Sequence, residues 1–248
     1  MVERAFQLLS LLATSETGYS LSELARLLEM SKGSAHGLLK TLEAGQVVEL
    51  DDNHRYSLGP RIYDLAQAYI TRGGLRRLAL PAMWRLASLS GETVFLGQVE
   101  ANAVRIIERV EDPAEDSALR VTARRGTRAP LLAGALGRVV LAGWPSDRRE
   151  EYLRAQTLPH FTPRSLTDHE AYLAAVAEAA RTGIGEDHEE YLAGVNAVAA
   201  AIRGLGGELV ALVWIVGFSS RFTGETLRQA GVALRAETSA ISHSLGAR

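Results

Sequence analysis

The chain has 248 residues, 47% hydrophobic and 23% charged, with a formal net charge of −2 at pH 7. That length and balance describe a globular protein of two ordinary domains, and so small a net charge says little about partners. The lack of cysteine excludes disulfides and thiolate chemistry, and no stretch approaches the roughly 20 apolar residues needed to span a membrane.

The chain opens on an amphipathic segment carrying Glu3 and Arg4, not on a signal peptide. A cytoplasmic protein without a membrane partner is therefore expected. Apolar residues at Val2, Ala5, Phe6, Leu8, Leu9 and Leu12 have helical spacing. Thr14 to Gly18 breaks the pattern. Ser20 with Glu23 is a capping box, opening a short helix with Leu21, Leu24, Ala25, Leu27 and Leu28 inside.

The stretch Met30 to Gly45 predicts a second helix. Ser31 is the expected N-cap and Gly45 the left-handed stop. Ala35, Leu38, Leu39 and Leu42 form its buried seam, leaving Lys32, Ser34, His36 and Lys40 outside. Two short helices joined by a tight turn, with small residues Gly33, Ser34 and Ala35 early in the second, make a helix-turn-helix. Small residues there let the first turn approach base edges. Both lysines of the chain lie on this helix. An ordinary amphipathic helix with a solvated face is the competing reading.

Gln46 to Leu50 and Arg55 to Leu58 read as a hairpin around Asp51-Asp52-Asn53-His54. A hairpin directly after the second helix is the wing of a winged helix-turn-helix. Arg55 and Tyr56 stand where a wing touches DNA; a basic surface residue and a half-buried tyrosine are the alternative. Ser31, Lys32, Ser34, Ala35, His36, Lys40, Arg55 and Tyr56 are thus the candidate DNA-binding residues. Residues 1–72 hold seven basic and nine acidic side chains, a net of −2. Phosphate neutralisation supplies much of the affinity for DNA, so modest affinity per subunit and dependence on oligomerisation are expected. Between Met30 and Thr41 there is no acid.

Pro60 opens a helix with Ile62, Leu65, Ala66, Tyr69 and Ile70 in line, a stripe fit to pair with its copy in a second subunit. Arg72-Gly73-Gly74 interrupts it and marks the domain boundary, dividing 1–72 from 73–248. A helix resumes over Leu75 to Leu89, with Leu78, Ala82, Leu86 and Leu89 in line and Pro81 as a kink or true start. Glu92 to Val99, Val104 to Val110 and Leu119 to Ala123 predict strands. Arg124 to Arg128 is a basic loop. The run from Ala129 to Ala142 is a loop entering a helix of very small residues, which suits either an anion at the helix N-terminus or close packing on a sheet. Helices are expected at Asp147–Ala155, at Asp168–Arg181 behind a capping box from Thr167, and at Thr223–Leu245. Val195–Ile202 and Leu209–Gly217 predict strands joined by a tight turn. The mixture lacks βαβ alternation and predicts a mostly antiparallel α+β domain.

No nucleophile elbow, Walker loop or dinucleotide fingerprint is present, so no catalytic residue and no cofactor are expected. Asp187-His188-Glu189-Glu190 is the nearest approach to a metal set. Four adjacent polar residues cannot all face one ion, so no metal is expected; a solvated loop is the preferred reading, with room for one side chain to point inward.

Taken together, the chain resembles the IclR family of transcriptional regulators along nearly its whole length. The resemblance rests on Ser20-Leu21-Ser22-Glu23-Leu24-Ala25, on Ser34 to Leu42, on Arg55-Tyr56-Ser57-Leu58-Gly59, on Gly91-Glu92-Thr93-Val94, and on Gly126 with Pro130-Leu131 and Gly137-Arg138. Its most specific part is Gly185-Glu186-Asp187-His188-Glu189-Glu190-Tyr191-Leu192-Ala193-Gly194-Val195, continuing through Ala197–Ile202 to Gly217 and Arg221.

The resemblance implies a two-domain protein: a winged helix-turn-helix with the start of a linker helix, then a GAF-like α+β sensor. It implies operator DNA and a small organic effector as partners, and homodimers often paired as tetramers. The effector residues it implies are Val121, Ala123, Ala135, Leu136, Asp187, Val195, Ala197, Trp214 and Val216. Three positions depart from the family pattern. Gly37 stands where arginine is usual, Ala197 where cysteine is common, and Trp214 with Val216 where some members carry small polar residues. The last changes predict an effector with an aromatic or apolar body, its polar end held by Asp187 or by backbone N–H groups. An enzyme, or a protein-interaction module, with a fused winged helix remains the alternative.

Overall fold

The computed structural model describes residues 1–71, 73–112 and 119–247, and the chain divides into two units, Met1–Leu75 and Arg76–Arg248. In the first unit, helices α1 (Val2–Leu12), α2 (Leu21–Leu27) and α3 (Lys32–Ala44) precede a hairpin of β1 (Val48–Leu50) and β2 (Tyr56–Leu58), then helix α4 (Pro60–Thr71). Ser20 caps α2 in a full capping box with Glu23. Ser31 caps α3 by accepting from the Ser34 N–H at 3.1 Å. Leu8, Leu12, Leu24, Leu28, Leu38, Leu39, Val48 and Tyr56 close one core, each worth about 1.5–3 kcal/mol when fully buried.

The end of α3 differs from expectation. Gly45 keeps a right-handed φ of −84°, and the left-handed residue is Gln46, at φ 57°. The Gln46 N–H donates to Glu43 O and the Val47 N–H to Leu42 O, which is the Schellman pattern shifted one residue on. Close packing explains why no bend relaxes it: a Cβ on Gly59 would lie 2.4 Å from Gln46 O.

Helix α5 (Gly74–Ser90) crosses the division between the units and contains Pro81 in its interior, so Pro81 does not mark its start. Leu75, Ala79, Ala82, Met83, Leu86 and Ala87 are buried, whereas Leu89 is 62% exposed. The side chain of Ile70, and Arg72, lie outside the described residues.

The second unit continues with strands β3 (Thr93–Glu100), β4 (Ala103–Val110) and β5 (Arg128–Pro130), helices α6 (Gly134–Ala142), α7 (Ser146–Arg154) and α8 (His169–Thr182), strands β6 (Ile184–His188), β7 (Val195–Arg203) and β8 (Leu209–Phe218), and helix α9 (Gly224–Ser244). The sheet runs β5-β4-β3-β8-β7-β6, and every neighbouring pair is antiparallel. Helices cover both faces. A Cβ on Gly185 of β6 would meet Ala135 O of α6, while the adjacent Ile184 meets Gly231 of α9. Because successive residues of a strand face opposite ways, α6 and α9 lie on opposite faces. That explains the unbroken burial from Ala211 to Gly217 in β8.

Three expectations are corrected here. Residues 119–123 form no strand; instead Gly126 and Thr127 bond the main chain of Ile106, and Arg128–Pro130 pairs with β4. Asp187 and His188 are not in a solvated loop but in β6, an edge strand whose inward positions are Gly185 and Asp187. Helix α8 is capped by Asp168, which accepts from the Ala171 N–H, not by Thr167.

Glycine adopts the left-handed conformation without the roughly 1–2 kcal/mol penalty of other residues. Gln46→Gly is therefore expected to raise the unfolding free energy of the chain by about 0.5–1 kcal/mol, measured by urea denaturation; an unchanged or lower midpoint contradicts this account of the helix end.

Candidate nucleic-acid interface and effector cavity

On α3, Ser31, Lys32, Ser34, His36 and Lys40 are exposed together on the side away from the core, with Gly33, Gly37 and Thr41 between them. Neither lysine has an ion-pair partner among the described residues, and the first turn of the helix holds no acid. A Cβ on Gly37 would meet nothing within 4 Å, so the space where an arginine is usual stands open.

Three other candidates are placed differently. Ala35 is fully buried, in the seam of α3. Tyr56 is 6% exposed, packed in the core, and main-chain bonded to Tyr19 in both directions; burial pushes its hydroxyl pKa up. Its ring therefore supports the wing from inside. Arg55 donates to Thr17 O and Gly18 O, both at 2.9 Å, and pairs with Glu23 at 3.3 Å. These bonds pin the wing to the turn before α2, and they engage the guanidinium that a phosphate would use.

In the second unit, Val121, Ala123, Ala135, Leu136, Asp187, Val195, Ala197, Trp214 and Val216 all line one cavity of about 170 Å³. Its floor is two adjacent cross-strand rows. Asp187, Ala197 and Val216 come from one; Trp214 and Phe95 come from the next. The start of α6 and residues 121–129 supply the walls. Trp214 stacks on Phe95 with ring centroids 5.4 Å apart. The far edge of its indole lies over Gly97, where a Cβ would come within 2.9 Å of the ring. A cavity of ~150 Å³ takes up benzene, so this one is sized for about one ring.

Asp187 is the charged group at the floor, 5% exposed. A Cβ on Gly134, the first residue of α6, would lie 1.9 Å from its Oδ2, so only glycine fits there, and Gly134 is left-handed at φ 46°. Asp187 thus already fills the helix N-terminus that a bound anion would use. Its Oδ1 accepts the Glu190 N–H at 2.7 Å. Burial pushes its pKa up to about 6, opposed by that bond. The turn that supplies the N–H is itself fixed: Thr162 Oγ1 donates to Glu189 O and Ser165 Oγ to Glu190 O, each at 2.7 Å. Arg138 of α6 pairs with Glu190 and donates to Glu186 O. Among the described residues, no cluster of His, Cys, Asp and Glu could hold a metal ion, and no helix is long and apolar enough to cross a membrane.

The cavity includes residues that the sequence did not single out. Phe95, Thr122, Arg128 and Tyr191 also line it. Phe95 is identifiable only from the register that sets it beside Trp214. Tyr191 stood within the most specific stretch of the family pattern and carried its own signal.

A winged helix-turn-helix followed by an α+β unit with an apolar cavity defines the class of one-component regulators, in which one chain holds a DNA reader and a ligand sensor. Comparison with known proteins gives the family. A model of the IclR helix-turn-helix domain matches residues 1–52, and one of the bacterial transcriptional regulator IclR C-terminal domain matches 67–243. The HTH-type transcriptional regulator BhcR of Paracoccus denitrificans is 31% identical over 97% of this chain and 82% of its own. The glycerol operon regulatory protein of Streptomyces coelicolor is 34% identical over 99% and 96%. Among solved structures, the Thermotoga maritima IclR covers 99% of this chain and 98% of its own at 26% identity, with a TM-score of 0.66. The Agobacterium tumefaciens repressor BlcR covers 100% and 97% at 26%, with a TM-score of 0.63. The chain belongs to the IclR family, and it is a DNA-binding transcriptional regulator, not an enzyme.

The raised pKa of Asp187 has a measurable cost. Below pH 4 both folded and unfolded chains carry the proton. Between pH 4 and 6 the unfolded chain loses it first, so stability falls; above pH 6 the loss is complete. Asp187→Asn keeps an acceptor for Glu190 and removes the charge. It is expected to be more stable than the parent by about 1–3 kcal/mol at pH 7, at ~1.4 kcal/mol per pKa unit, with the difference vanishing near pH 4. Urea unfolding of both chains across that range checks it.

Proposed function

We propose that the exposed face of α3, through Ser31, Lys32, Ser34, His36 and Lys40, reads the major groove of operator DNA. Two lysines with no ion-pair partner among the described residues, on a stretch with no acid between Met30 and Thr41, support this reading. Arg55 and Tyr56 position the wing, and Ala35 sets the close approach of α3 to its own core. One unit presents few cations, so a homodimer supplies two half-sites. The α4 stripe supports this: its Leu65 and Tyr69 are large apolar groups left exposed. Two dimers joining as a tetramer fit the same reading. The protein works in the cytoplasm, where operator DNA is.

The single observation that carries the sensor reading is the cavity itself, about 170 Å³, apolar on most sides, with one buried carboxylate at its floor. Its effector has an aromatic or apolar body and presents a hydroxyl or N–H to Asp187. A carboxylate on the effector meets Asp187 already seated at the α6 N-terminus, so the place foreseen for an anion is taken. An effector acts by binding one arrangement of the dimer better than another.

In a mobility-shift assay on DNA from its own upstream region, Lys32→Ala and Lys40→Ala are each expected to weaken binding. Each is also expected to lower the slope of log affinity against log salt by about 0.9 for every phosphate left unneutralised. Gly37→Arg is expected to strengthen binding. Unchanged slopes in both lysine variants would remove α3 from the interface. Light scattering at micromolar concentration is expected to give a dimer or larger, and a monomer would contradict pairing through α4. In a thermal-shift screen, phenols and aromatic amides are expected to raise Tm; a shift by pyruvate with none by aromatic compounds would overturn the effector class.

A further inference from the structure

Glu108 lies outside the cavity and outside the DNA-facing helix, yet its side chain is only 1% exposed. A bulge in β4 decides where it points. Gly97 pairs with Ile106 but Leu96 pairs with Glu108, so Ile107 is an extra residue. Without the bulge, Ile106 and Glu108 would share a face. With it, Ile106 lines the cavity and Glu108 turns to the opposite face beside Leu96.

Two guanidiniums meet Glu108 there. Arg76 of α5 donates to Oε2, and Arg125 lies 2.5 Å from Oε1, which also accepts the Arg109 N–H at 2.8 Å. Burial pushes the carboxyl pKa up, and these partners outweigh it, leaving it below the usual range. Arg125 belongs to the segment that walls the cavity. That segment is gripped on both sides of β4. On the cavity face the Arg109 guanidinium bonds Thr122 and Ala123 O. At the strand edge Gly126 and Thr127 bond Ile106. On the far face Arg125 reaches Glu108.

We infer that Glu108 is a positioning residue that couples the cavity wall, residues 121–127, to helix α5 across the sheet. Val121, Thr122 and Ala123 touch whatever occupies the cavity, and any shift of their segment carries Arg125 with it. A buried carboxylate that loses one of two cations is left poorly compensated, so its hold on the other must adjust. The other is Arg76, on the helix whose first two residues belong to the DNA-binding unit. The use of this joint for signalling rests on the effector reading of the cavity; the joint itself does not.

Hydrogen–deuterium exchange on the full chain without any ligand tests it. Arg125→Ala removes a side chain that is 59% exposed, so the fold is retained. It is expected to speed exchange by about threefold or more both in residues 121–127 and in the α5 amides 78–80, the size of effect that residues sharing one ion-pair network show. Arg76→Ala is expected to act reciprocally on 121–127, and Glu108→Gln to loosen both. Arg128→Ala, in the same wall but paired with Glu100, is expected to leave α5 unchanged. Exchange that rises only within 121–127 in Arg125→Ala, or that rises in α5 equally in Arg128→Ala, overturns the coupling. A cavity that takes no aromatic ligand removes the effector reading and leaves the coupling standing; ligand binding with uncoupled exchange does the reverse.

Discussion

The sensor unit is organised around a carboxylate seated on a glycine. Asp187 comes from an edge strand, Gly134 opens the central helix of that face, and the Glu190 N–H closes the third side. A charge out of water is tolerated only where dipoles and hydrogen bonds replace the lost hydration. Here the turn supplies the hydrogen bond, from the Glu190 N–H, and Arg138 with Glu190 locks the turn to α6. The sheet edge, the helix entrance and the cavity floor are thereby held by one cluster. Asp187 is a carboxyl group facing an apolar cavity with its pKa raised by burial, a combination that clusters at functional sites.

The DNA-binding unit meets a different constraint. Its overall charge is negative, against the usual expectation for a DNA reader. Two of the acids have local structural roles: Glu23 serves the cap of α2 and the wing's Arg55, and Asp51 accepts from the backbone of the wing turn. From Met30 to Thr41, the exposed residues of α3 include two lysines and no acid, with Glu43 in the last turn. Net charge therefore describes the unit poorly, and its distribution over one helix face describes it better.

Helices α2 and α3 are legible because apolar period and capping residues agree in each, α1 from its apolar period alone, and the long strands β3, β4, β7 and β8 from their apolar runs. Strand β6 was hidden because its inward positions are glycine and aspartate, which carry no hydrophobic alternation. Residues 119–123 misled for the opposite reason: Leu119, Val121 and Ala123 alternate like a strand, yet the segment wraps the edge of β4 and lends two of those side chains to the cavity. The nine positions that the family resemblance implied for an effector all line one cavity. Tyr56 and Ala35 show the limit of position along the chain as a guide, since the same local motif places neighbouring residues in the core and on the surface.

The indole of Trp214 fills what is otherwise the deep end of the cavity, and it does so by lying over Gly97. A side chain at 97 would strike both the ring and the Arg105 carbonyl. Residue 97 does not touch the cavity, yet it sets how deep the cavity is. A smaller residue at 214 would open a deeper chamber, but the Arg105 carbonyl, 2.8 Å from where a Cβ on residue 97 would stand, keeps glycine at 97 even then. Room for a larger ligand is therefore gained through residue 214 alone, with the glycine held in place by the neighbouring strand.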